Sequence, residues 1–351
     1  MLEEAIRLGE YRAGDQLPAE QDLATRFGVS YTTARRAVSD LVLADFLERR
    51  GRKGTFVRGQ SVHRLQQTTL HLICSTYING AAEAFILNAT RAAEARGWNV
   101  NVLRLAMGQQ DLAVRALASG NPALICLDEI RETSSLGIAV RAARDRVVVL
   151  QPDMSAIGVT TVLTRLEAHI DMLLGHLRAA GHQQIAMIVQ IPKDEKECST
   201  SWQRHLTAAL RQIDLCIDVI YVDTPPGYSP MRRAYEEVGD YLKSHPNVTA
   251  LASMGEELTI GAMGACRDAN LSVPDQISLV NDGDTPLLEL VSPAITCVDH
   301  NMGLQCEEAV RLVAAHQNGL DTGAALHIVQ SRLVDRGSVA CVRSAPHAAA
   351  V

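Results

Sequence analysis

The segment from Leu17 to Val57 restricts the fold most strongly, because its pattern predicts two short helices, a tight turn and a basic hairpin. In the first helix, expected from about Pro18 to Phe27, the apolar residues recur at the spacing of one buried face: Leu23, Ala24 and Phe27. Gly28 then permits a sharp turn. Ser30 is placed to cap the second helix, because its hydroxyl can accept a hydrogen bond from an unpaired amide of the first turn. This order of elements is typical of a winged helix.

The second helix is expected to carry two different faces. One is an apolar stripe, formed by Ala34, Val38 and Leu41. The opposite face is polar and carries Thr32, Arg35, Arg36 and Ser39. Such a face suits the major groove of DNA, where an arginine can bond to O6 and N7 of guanine and a threonine can meet a thymine methyl group or a phosphate. With their neighbours in the first turn, the residues of this helix that we expect to contact DNA are Tyr31, Thr32, Thr33, Arg35, Arg36 and Ser39.

Two short strands, expected at 46–50 and 55–58, surround a turn rich in glycine and form a basic hairpin. Arg50, Gly51, Arg52 and Lys53 lie at its tip. There the cations can reach phosphates or the minor groove, and the glycine lets the backbone approach closely. We therefore include these four residues among the expected DNA contacts. The alternative is a solvated helix face and a basic hairpin that bind no ligand.

The charge of the chain is unevenly distributed. The segment from Arg26 to Arg58 holds eight basic and three acidic residues, whereas the whole chain of 351 residues has a formal net charge of −7. This asymmetry places a polyanion-binding surface at one end and leaves the remainder acidic. The length predicts two or three domains, each able to bury a core of its own.

Four short motifs resemble the GntR family of bacterial transcription regulators: LPAE from Leu17, GVS from Gly28, TTARRAV from Thr32 and GTFV from Gly54. The resemblance covers about residues 1–58 and implies a winged helix-turn-helix that binds double-stranded operator DNA. By its place in the motif, Arg35 matches the family's base-contacting arginine. The chain departs from the family pattern at Gln21, Tyr31 and Arg52.

From Thr68 onward, short apolar runs alternate with amphipathic stretches, which favours parallel sheets in an α/β fold. Strands are expected near 70–74, 100–105, 123–127, 147–150, 185–189, 219–222, 250–253 and 277–280. One helix is clearly marked before Gly181 by an apolar face of Leu166, Ile170, Leu173, Leu174 and Leu177. We expect a DNA-binding domain at 1–58, a linker at 59–67, a ligand-binding and dimerisation domain at 68–340, and a disordered tail at 341–351.

Three phrases beyond the linker resemble the core of LacI-type regulators: LRAAGHQQIAMI from Leu177, TALASMGEELTIGAMGACRDANLSVPDQISLV from Thr249, and DRGSV from Asp335. The resemblance covers roughly residues 68–339. It implies the fold of periplasmic sugar-binding proteins, in which two α/β subdomains, joined by crossing strands, enclose a small molecule such as a sugar.

Ligands of open α/β sheets bind beyond the carboxyl ends of the strands, so the loops there are the places to search. By place in the LacI-like pattern or by chemistry, the expected effector-binding residues are Ser75, Tyr77, Trp202, Glu256, Asp282 and Asp284. The indole can stack on an apolar sugar face, and the carboxylates can accept hydroxyl or amine donors. The alternative is that Trp202 belongs to the core and that the acids are solvated loop residues.

No pattern in the sequence supports catalysis. The eleven histidines form neither an H-E-x-x-H motif nor a metal-ligand spacing beside paired cysteines, and neither a G-x-S-x-G turn nor a P-loop occurs. We therefore expect no catalytic residue, no cofactor and no metal. The eight cysteines form no C-x-x-C pair and suit small core positions in a reducing cytoplasm. Neither a signal peptide nor an apolar run of membrane-spanning length is present, so we expect a cytoplasmic protein without a membrane partner.

The sequence as a whole predicts a homodimeric bacterial transcription regulator that acts as a repressor. Its affinity for operator DNA is expected to be controlled by a small metabolite. The alternative from another class is a ligand-binding sensor or enzyme whose N-terminal domain binds a protein partner. A second alternative keeps the winged helix and attaches an all-helical or lyase-like C-terminal domain, against which the alternating strands argue.

Overall fold

The computed structural model describes residues 2–7, 10–12, 14–43, 47–57, 68–75, 80–106, 108–191, 201–212, 217–225, 227–320, 322 and 325–342. Contacts between Cα atoms divide the chain into two compact units. The N-terminal unit holds residues 1–69 and 97–99, and the C-terminal unit holds the remainder. The expected linker at 59–67 lies outside the described residues, as does most of the expected tail. Within the described part of the chain, no helix is both long and apolar enough to cross a membrane.

The N-terminal unit is a winged helix. Its elements are the helices α1 (Leu2–Arg7), α2 (Glu20–Phe27) and α3 (Tyr31–Leu43) and the antiparallel strands β1 (Leu47–Arg49) and β2 (Thr55–Val57). A short 3-10 turn, Gly51–Lys53, connects the two strands. Helix α2 begins two residues later than expected from Pro18, because Ala19 has an extended backbone with ψ at 150°. The predicted elements are otherwise present within a residue or two.

The expected apolar stripes build the core of the N-terminal unit. Leu23 and Ala24 of α2 pack with Ala34, Val38 and Leu41 of α3, and Leu47 and Val57 close the core from the hairpin. The turn between α2 and α3 follows the predicted chemistry: Gly28 has a φ of +68°, and its amide bonds to a carbonyl of the preceding turn. Ser30 caps α3, since its Oγ accepts a hydrogen bond of 3.1 Å from the amide of Thr33.

The C-terminal unit contains two six-stranded sheets, each of which defines a subdomain. The first subdomain has the strand order β13-β7-β6-β5-β3-β4. Its strands are β3 (Thr69–Ser75), β4 (Asn99–Leu105), β5 (Ala123–Cys126), β6 (Val147–Gln151), β7 (Thr161–Leu163) and β13 (Leu326–Ile328). Its helices are α4 (Gly80–Glu94), α5 (Gln110–Ala118), α6 (Ser135–Ala142) and α12 (Met302–Gln317).

The second subdomain has the strand order β14-β12-β11-β10-β8-β9, in which only β14 pairs antiparallel among the described pairs. Its strands are β8 (Ile185–Val189), β9 (Ile217–Tyr221), β10 (Ala250–Ser253), β11 (Ser278–Asp282), β12 (Thr296–Asp299) and β14 (Arg332–Val334). Its helices are α7 (Leu166–Ala179), α8 (Ser201–Gln212), α9 (Pro230–Ser244), α10 (Glu256–Asp268) and α11 (Pro286–Leu290).

The chain passes between the two subdomains at three described places, which we call the crossover segments. They lie between β7 and α7 at 164–165, between β12 and α12 at 300–301, and between β13 and β14 at 329–331. The predicted fold class, a winged helix followed by a two-subdomain α/β core, is therefore confirmed. All eight predicted strands are present. The strands that the sequence did not reveal are β7, β12, β13 and β14, which have three or four residues each and lack a clear apolar run.

Helix α7 shows how closely the apolar pattern matches the packing. Ile170, Leu173, Leu174 and Leu177 are all buried in the core of the second subdomain, as predicted. The helix ends at Ala179, shortly before Gly181, whose φ is +91°, and the amide of His182 bonds back to the carbonyl of Leu177. The ring of His182 is itself buried, with Nδ1 lying 2.9 Å from Thr249 Oγ1 and Nε2 lying 3.0 Å from the Ala340 carbonyl oxygen.

Candidate nucleic-acid interface and ligand cleft

Helix α3 presents the expected polar face to solvent. Because Ala34 and Val38 point into the core, the opposite side of the helix is open, and its exposed residues are Tyr31, Thr32, Thr33, Arg35 and Arg36. Ser39 is half-buried. Arg35 makes no hydrogen bond or ion pair within the described part of the chain. Arg36 lies 4.0 Å from Asp40, but both side chains are so exposed that this pair contributes little free energy. Both guanidiniums are thus available to a polyanion.

A polar network that the sequence did not reveal ties this helix to its neighbours. The hydroxyl of Tyr31 donates to Glu20 Oε2 at 3.2 Å, and the other oxygen of Glu20 accepts from Arg49 at 3.0 Å. The same Arg49 nitrogen lies 3.3 Å from the hydroxyl of Ser39. Glu20 and Arg49 therefore link α2, α3 and the first strand of the hairpin. Two of the expected DNA contacts, Tyr31 and Ser39, are held in place by this network.

The hairpin is preorganised by its own side chains. Arg50 Nε donates to Glu48 at 2.7 Å, and its guanidinium lies over the ring of Phe56 at 4.7 Å from the centroid. Gly51 has a φ of +54°, a conformation that glycine adopts without strain. Lys53 is exposed at the tip. Its backbone carbonyl accepts a hydrogen bond of 2.8 Å from the side-chain Nε2 of Gln16. Arg52 lies on the turn, and its side chain is outside the described part of the structure.

The cleft between the two subdomains lies at the carboxyl ends of their parallel strands. Its walls are in contact. Nη2 of Arg204 on α8 lies 3.3 Å and 3.2 Å from the two carboxylate oxygens of Glu129, which follows β5 in the other subdomain. A Cβ added to Gly80, at the start of α4, would lie 2.4 Å from Thr285 Cγ2 and 2.8 Å from Glu256 Oε2. The structure thus has its cleft closed around these contacts.

Four of the six predicted effector residues, Ser75, Glu256, Asp282 and Asp284, lie fully within the described part of the structure. Ser75 is the half-buried last residue of β3, and Glu256 begins α10 with its carboxylate beside Gly80. Trp202 lies in the first turn of α8, but its side chain is outside the described part of the structure. Tyr77 falls entirely outside the described residues. The roles of Ser75, Glu256, Trp202 and Tyr77 remain predictions.

The two predicted aspartates both have partners within the protein. Asp282, the last residue of β11, is buried beside two imidazoles, with His300 Nε2 at 2.7 Å and His169 Nδ1 at 3.2 Å from its Oδ1. These charges hold the pKa of the Asp282 carboxyl well below its usual range, although burial opposes them. Asp284 forms two contacts of 2.9 Å with the guanidinium of Arg336. The two carboxylates are thus already compensated by protein groups.

Asn281 is a buried organiser of the cleft that the sequence did not reveal. Its Oδ1 accepts hydrogen bonds from the amide of Gly255 at 3.1 Å and from the hydroxyl of Thr259 at 2.7 Å. Its Nδ2 donates to the carbonyls of Asp282 and Gly283 at 2.9 Å and 2.7 Å. The Asn281 side chain therefore fixes the loops after β10 and β11. Glu256, Asp282 and Asp284 lie in or next to these loops. The position of Asn281 directly after the apolar β11 residues Leu279 and Val280 was the available signal.

Asp128, two residues after the end of β5, is a further cleft residue that sequence reasoning missed. Its side chain is open to solvent yet surrounded by protein atoms, as expected inside a concave cleft, and this enclosure raises the pKa of its carboxyl. An acidic residue shortly after a buried parallel strand was the signal that pointed to it. It places a carboxylate in the first subdomain that can accept hydrogen bonds from a ligand.

The two units match two different families. Residues 1–57 match the bacterial regulatory proteins of the gntR family, and residues 174–339 match the periplasmic binding protein-like domain. The chain is 49% identical to the probable fructoselysine utilization operon transcriptional repressor of Escherichia coli (strain K12) over 57 residues. These 57 residues are 16% of this chain and 24% of that protein. Over 101 residues it is 28% identical to the HTH-type transcriptional regulator GalR of Salmonella typhimurium (strain LT2), 29% of this chain and 30% of that protein. The chain thus covers less than a third of either relative.

Solved structures of LacI-family regulators share the fold. A LacI family transcriptional regulator from Arthrobacter sp. FB24, in complex with lactose, superposes with a TM-score of 0.66 at 19% identity and covers 78% of this chain and all of that one. The trehalose repressor from Escherichia coli has a TM-score of 0.61 at 18% identity, over 76% of this chain and all of that one. The chain therefore joins a gntR-type domain to a periplasmic-binding-protein-like domain of LacI-family fold.

Proposed function

We propose that this chain, which joins a gntR-type winged helix to a periplasmic-binding-protein-like domain, is a transcriptional repressor whose hold on operator DNA depends on a small metabolite. The observation that carries the proposal is the exposed face of α3 with its two available guanidiniums, Arg35 and Arg36, beside a basic hairpin. Arg35 reads a base edge in the major groove, and the residues of the hairpin tip contact phosphates or the minor groove.

The effector binds in the cleft of the C-terminal unit. A sugar or a related polyol suits the site, because Asp128 and Glu256 offer carboxylate oxygens from opposite subdomains. The lactose in the Arthrobacter regulator supports a sugar as the first class to test. Effector and operator are coupled if the ligand prefers the closed cleft and DNA prefers another arrangement.

The working form is a homodimer on a two-fold-related operator, because one winged helix reads too few base pairs for high specificity. The protein works in the cytoplasm as a binding protein without catalytic activity. Support comes from the relatives, which are transcriptional regulators, and from the chemistry of the cleft, whose acidic residues include Asp282 and Asp284 in ion pairs with protein side chains.

The test is operator selection from random duplexes with the full chain, followed by binding titrations on the selected duplex. Arg35→Ala should weaken binding by about 1–3 kcal/mol and relax the preference at one base position. Arg141→Ala, which removes an exposed arginine from α6, is the matched control and should leave binding unchanged. Affinity should also fall steeply with salt. Binding that is indifferent to both Arg35 and salt would point instead to a protein partner for the winged helix.

The effector is tested by thermal unfolding of the full chain with a panel of sugars and polyols. A true effector raises the melting temperature in proportion to the logarithm of its concentration above the dissociation constant. Asp128→Asn should weaken that response, whereas Asp153→Asn, in the loop after β6, is a control for the loss of one carboxylate. A shift that both variants retain in full would remove Asp128 from the binding site.

A further inference from the structure

A buried cluster of two histidines and one aspartate joins all three crossover segments. His169 lies in the first turns of α7, directly after the first crossover, and His300 lies within the second. Ser331, in the third crossover, places its hydroxyl 2.8 Å from His169 Nε2. Asp282 meets both rings from the end of β11. Any rotation of one subdomain against the other passes through these segments.

The two imidazoles share a single carboxylate oxygen. His300 Nε2 donates to Asp282 Oδ1 at 2.7 Å, while His169 Nδ1 lies 3.2 Å from the same oxygen without the alignment of a hydrogen bond. The rings are stacked, with centroids 4.1 Å apart and planes inclined by 17°. The side chains of His169 and Asp282 are more than nine-tenths buried, whereas that of His300 is 26% exposed. Water therefore compensates little for an unpaired charge at Asp282 and reaches the cluster only through His300 among these three residues.

One imidazolium at His300 balances the single carboxylate. Burial opposes a charge on this ring, but Asp282 and Asp299 together outweigh burial and raise the pKa of His300, although Arg332 is paired with Asp299 at 2.9 Å. Cys297 also lies near Asp282, and burial raises the pKa of its thiol. Loss of the His300 proton would leave the Asp282 anion without a cation.

One ring nitrogen of His169, one of His300 and a carboxylate oxygen of Asp282 lie within 4.8 Å of one another, which is close enough to consider a metal site. The stacking of the rings argues against it. A metal ion bonds to an imidazole nitrogen in the plane of the ring, and the planes of two stacked rings with centroids 4.1 Å apart and an inclination of 17° meet only far from their nitrogens. The arrangement suits a shared proton better than a shared metal.

We propose that His169, Asp282 and His300 form a proton-operated hinge, which holds the closed cleft when His300 carries a proton and releases it when that proton is lost. The inference rests on the proposed function only in assigning effector binding to the closed cleft. Effector affinity would then fall as pH rises and His300 loses its proton. A repressor with this hinge would respond to its metabolite and to cytoplasmic pH together.

The experiment is hydrogen exchange by mass spectrometry on the full chain between about pH 5 and pH 9, corrected for the intrinsic exchange rate. Peptides that span 299–302 and 329–332 report on the crossovers without DNA or effector. Wild-type protection should fall as pH rises and His300 loses its proton, by up to about tenfold for each unit by which the pKa of His300 differs between closed and open forms. His300→Gln should abolish this fall, and His169→Gln, which removes the stacked ring, should weaken it.

His71→Gln is the matched control, because His71 is a buried histidine on β3, far in sequence from the crossovers, with a pKa that burial lowers. The hinge is overturned if both cluster variants keep the wild-type profile, if His71→Gln changes it equally, or if a chelator alone shifts it, which would identify a metal. If His300→Gln does not fold, wild-type imidazole NMR signals decide: those of His300 must titrate above the ordinary histidine pKa of about 6.5. Because no DNA is involved, these failures leave the DNA-binding proposal standing, and loss of operator binding leaves the hinge standing.

Discussion

Arg204 of the second subdomain lies within 3.3 Å of both carboxylate oxygens of Glu129 in the first. This ion pair spans the cleft, and opening the cleft would separate its two residues, because they lie on different subdomains. The Arg204 side chain is half exposed, so solvent screens the attraction. The pair adjusts the balance between closed and open forms without fixing it.

Exchanging the charges of this pair provides the first prediction. Arg204→Glu and Glu129→Arg should each raise the ratio of open to closed molecules a few fold, because each places like charges opposite one another. The double exchange restores a pair of opposite charges and should therefore restore closure. The coupling should lie within about 1 kcal/mol at low salt and shrink as salt is added. Hydrogen exchange of the loop at 127–132 measures it. Single variants that behave like wild type would show that the ion pair has no influence on closure.

Gly80→Ala tests closure by steric means. The added Cβ would lie 2.4 Å from Thr285 Cγ2 and 2.8 Å from Glu256 Oε2, so α4 cannot keep its place against α10 and the loop before α11. The variant should keep its fold but favour the open cleft, and it should lose thermal stabilisation by any sugar that stabilises wild type. Faster hydrogen exchange at the start of α10 would report the opening.

Gly175→Ala is the control for Gly80→Ala, because Gly175 is a helical glycine of α7 with nothing within 4 Å of an added Cβ. It should stabilise the protein by about 0.5–1 kcal/mol through helix propensity and leave ligand binding intact. If Gly80→Ala binds sugars as wild type does, the contact between α4 and α10 plays no part in binding.

The sequence predicted the winged helix and the strand alternation well, because both depend on local patterns. The glycine at 28, the cap at Ser30 and the stripe of Ala34, Val38 and Leu41 need only neighbours in the chain. The cleft depends on partners far apart in sequence. That Asp284 is neutralised by Arg336, 52 positions later, is a property of the tertiary fold and not of any motif. For the same reason, Asn281 and the pairing of His169 with His300 were not foreseen.

Asn281→Ala should be among the most destabilising single changes in the second subdomain. It removes the acceptor for the Gly255 amide, which is left unpaired, and one of the two acceptors of the Thr259 hydroxyl, which keeps the Gly255 carbonyl at 3.0 Å. The expected loss is about 2–4 kcal/mol in the free energy of unfolding, measured by urea denaturation. Asn318→Ala, which removes only an exposed hydrogen bond to the Ala314 carbonyl at the end of α12, should lose less than about 1 kcal/mol. Equal losses would contradict the organising role of Asn281.

His182 makes the stability of the fold depend on pH. Burial lowers the pKa of this imidazole, although the hydrogen bond to the Ala340 carbonyl opposes the shift, so the folded protein holds it neutral where the unfolded chain already takes up a proton. Stability is therefore lost as pH falls through the ordinary histidine value of about 6.5 toward the lowered one. The slope from this one group is at most about 1.4 kcal/mol per pH unit.

The measurement for His182 is urea unfolding of wild type and His182→Gln from about pH 7.5 to pH 5. Glutamine keeps a donor for the Ala340 carbonyl but cannot titrate, so the variant should lose less stability than wild type over this range, whatever its stability at neutral pH. His205→Gln is the control, because that histidine is exposed and pairs with Glu167 on the surface. Its pH profile should follow wild type. Parallel profiles for wild type and His182→Gln would mean that the buried imidazole takes up its proton without unfolding, and that Thr249 and Ala340 yield to accommodate it.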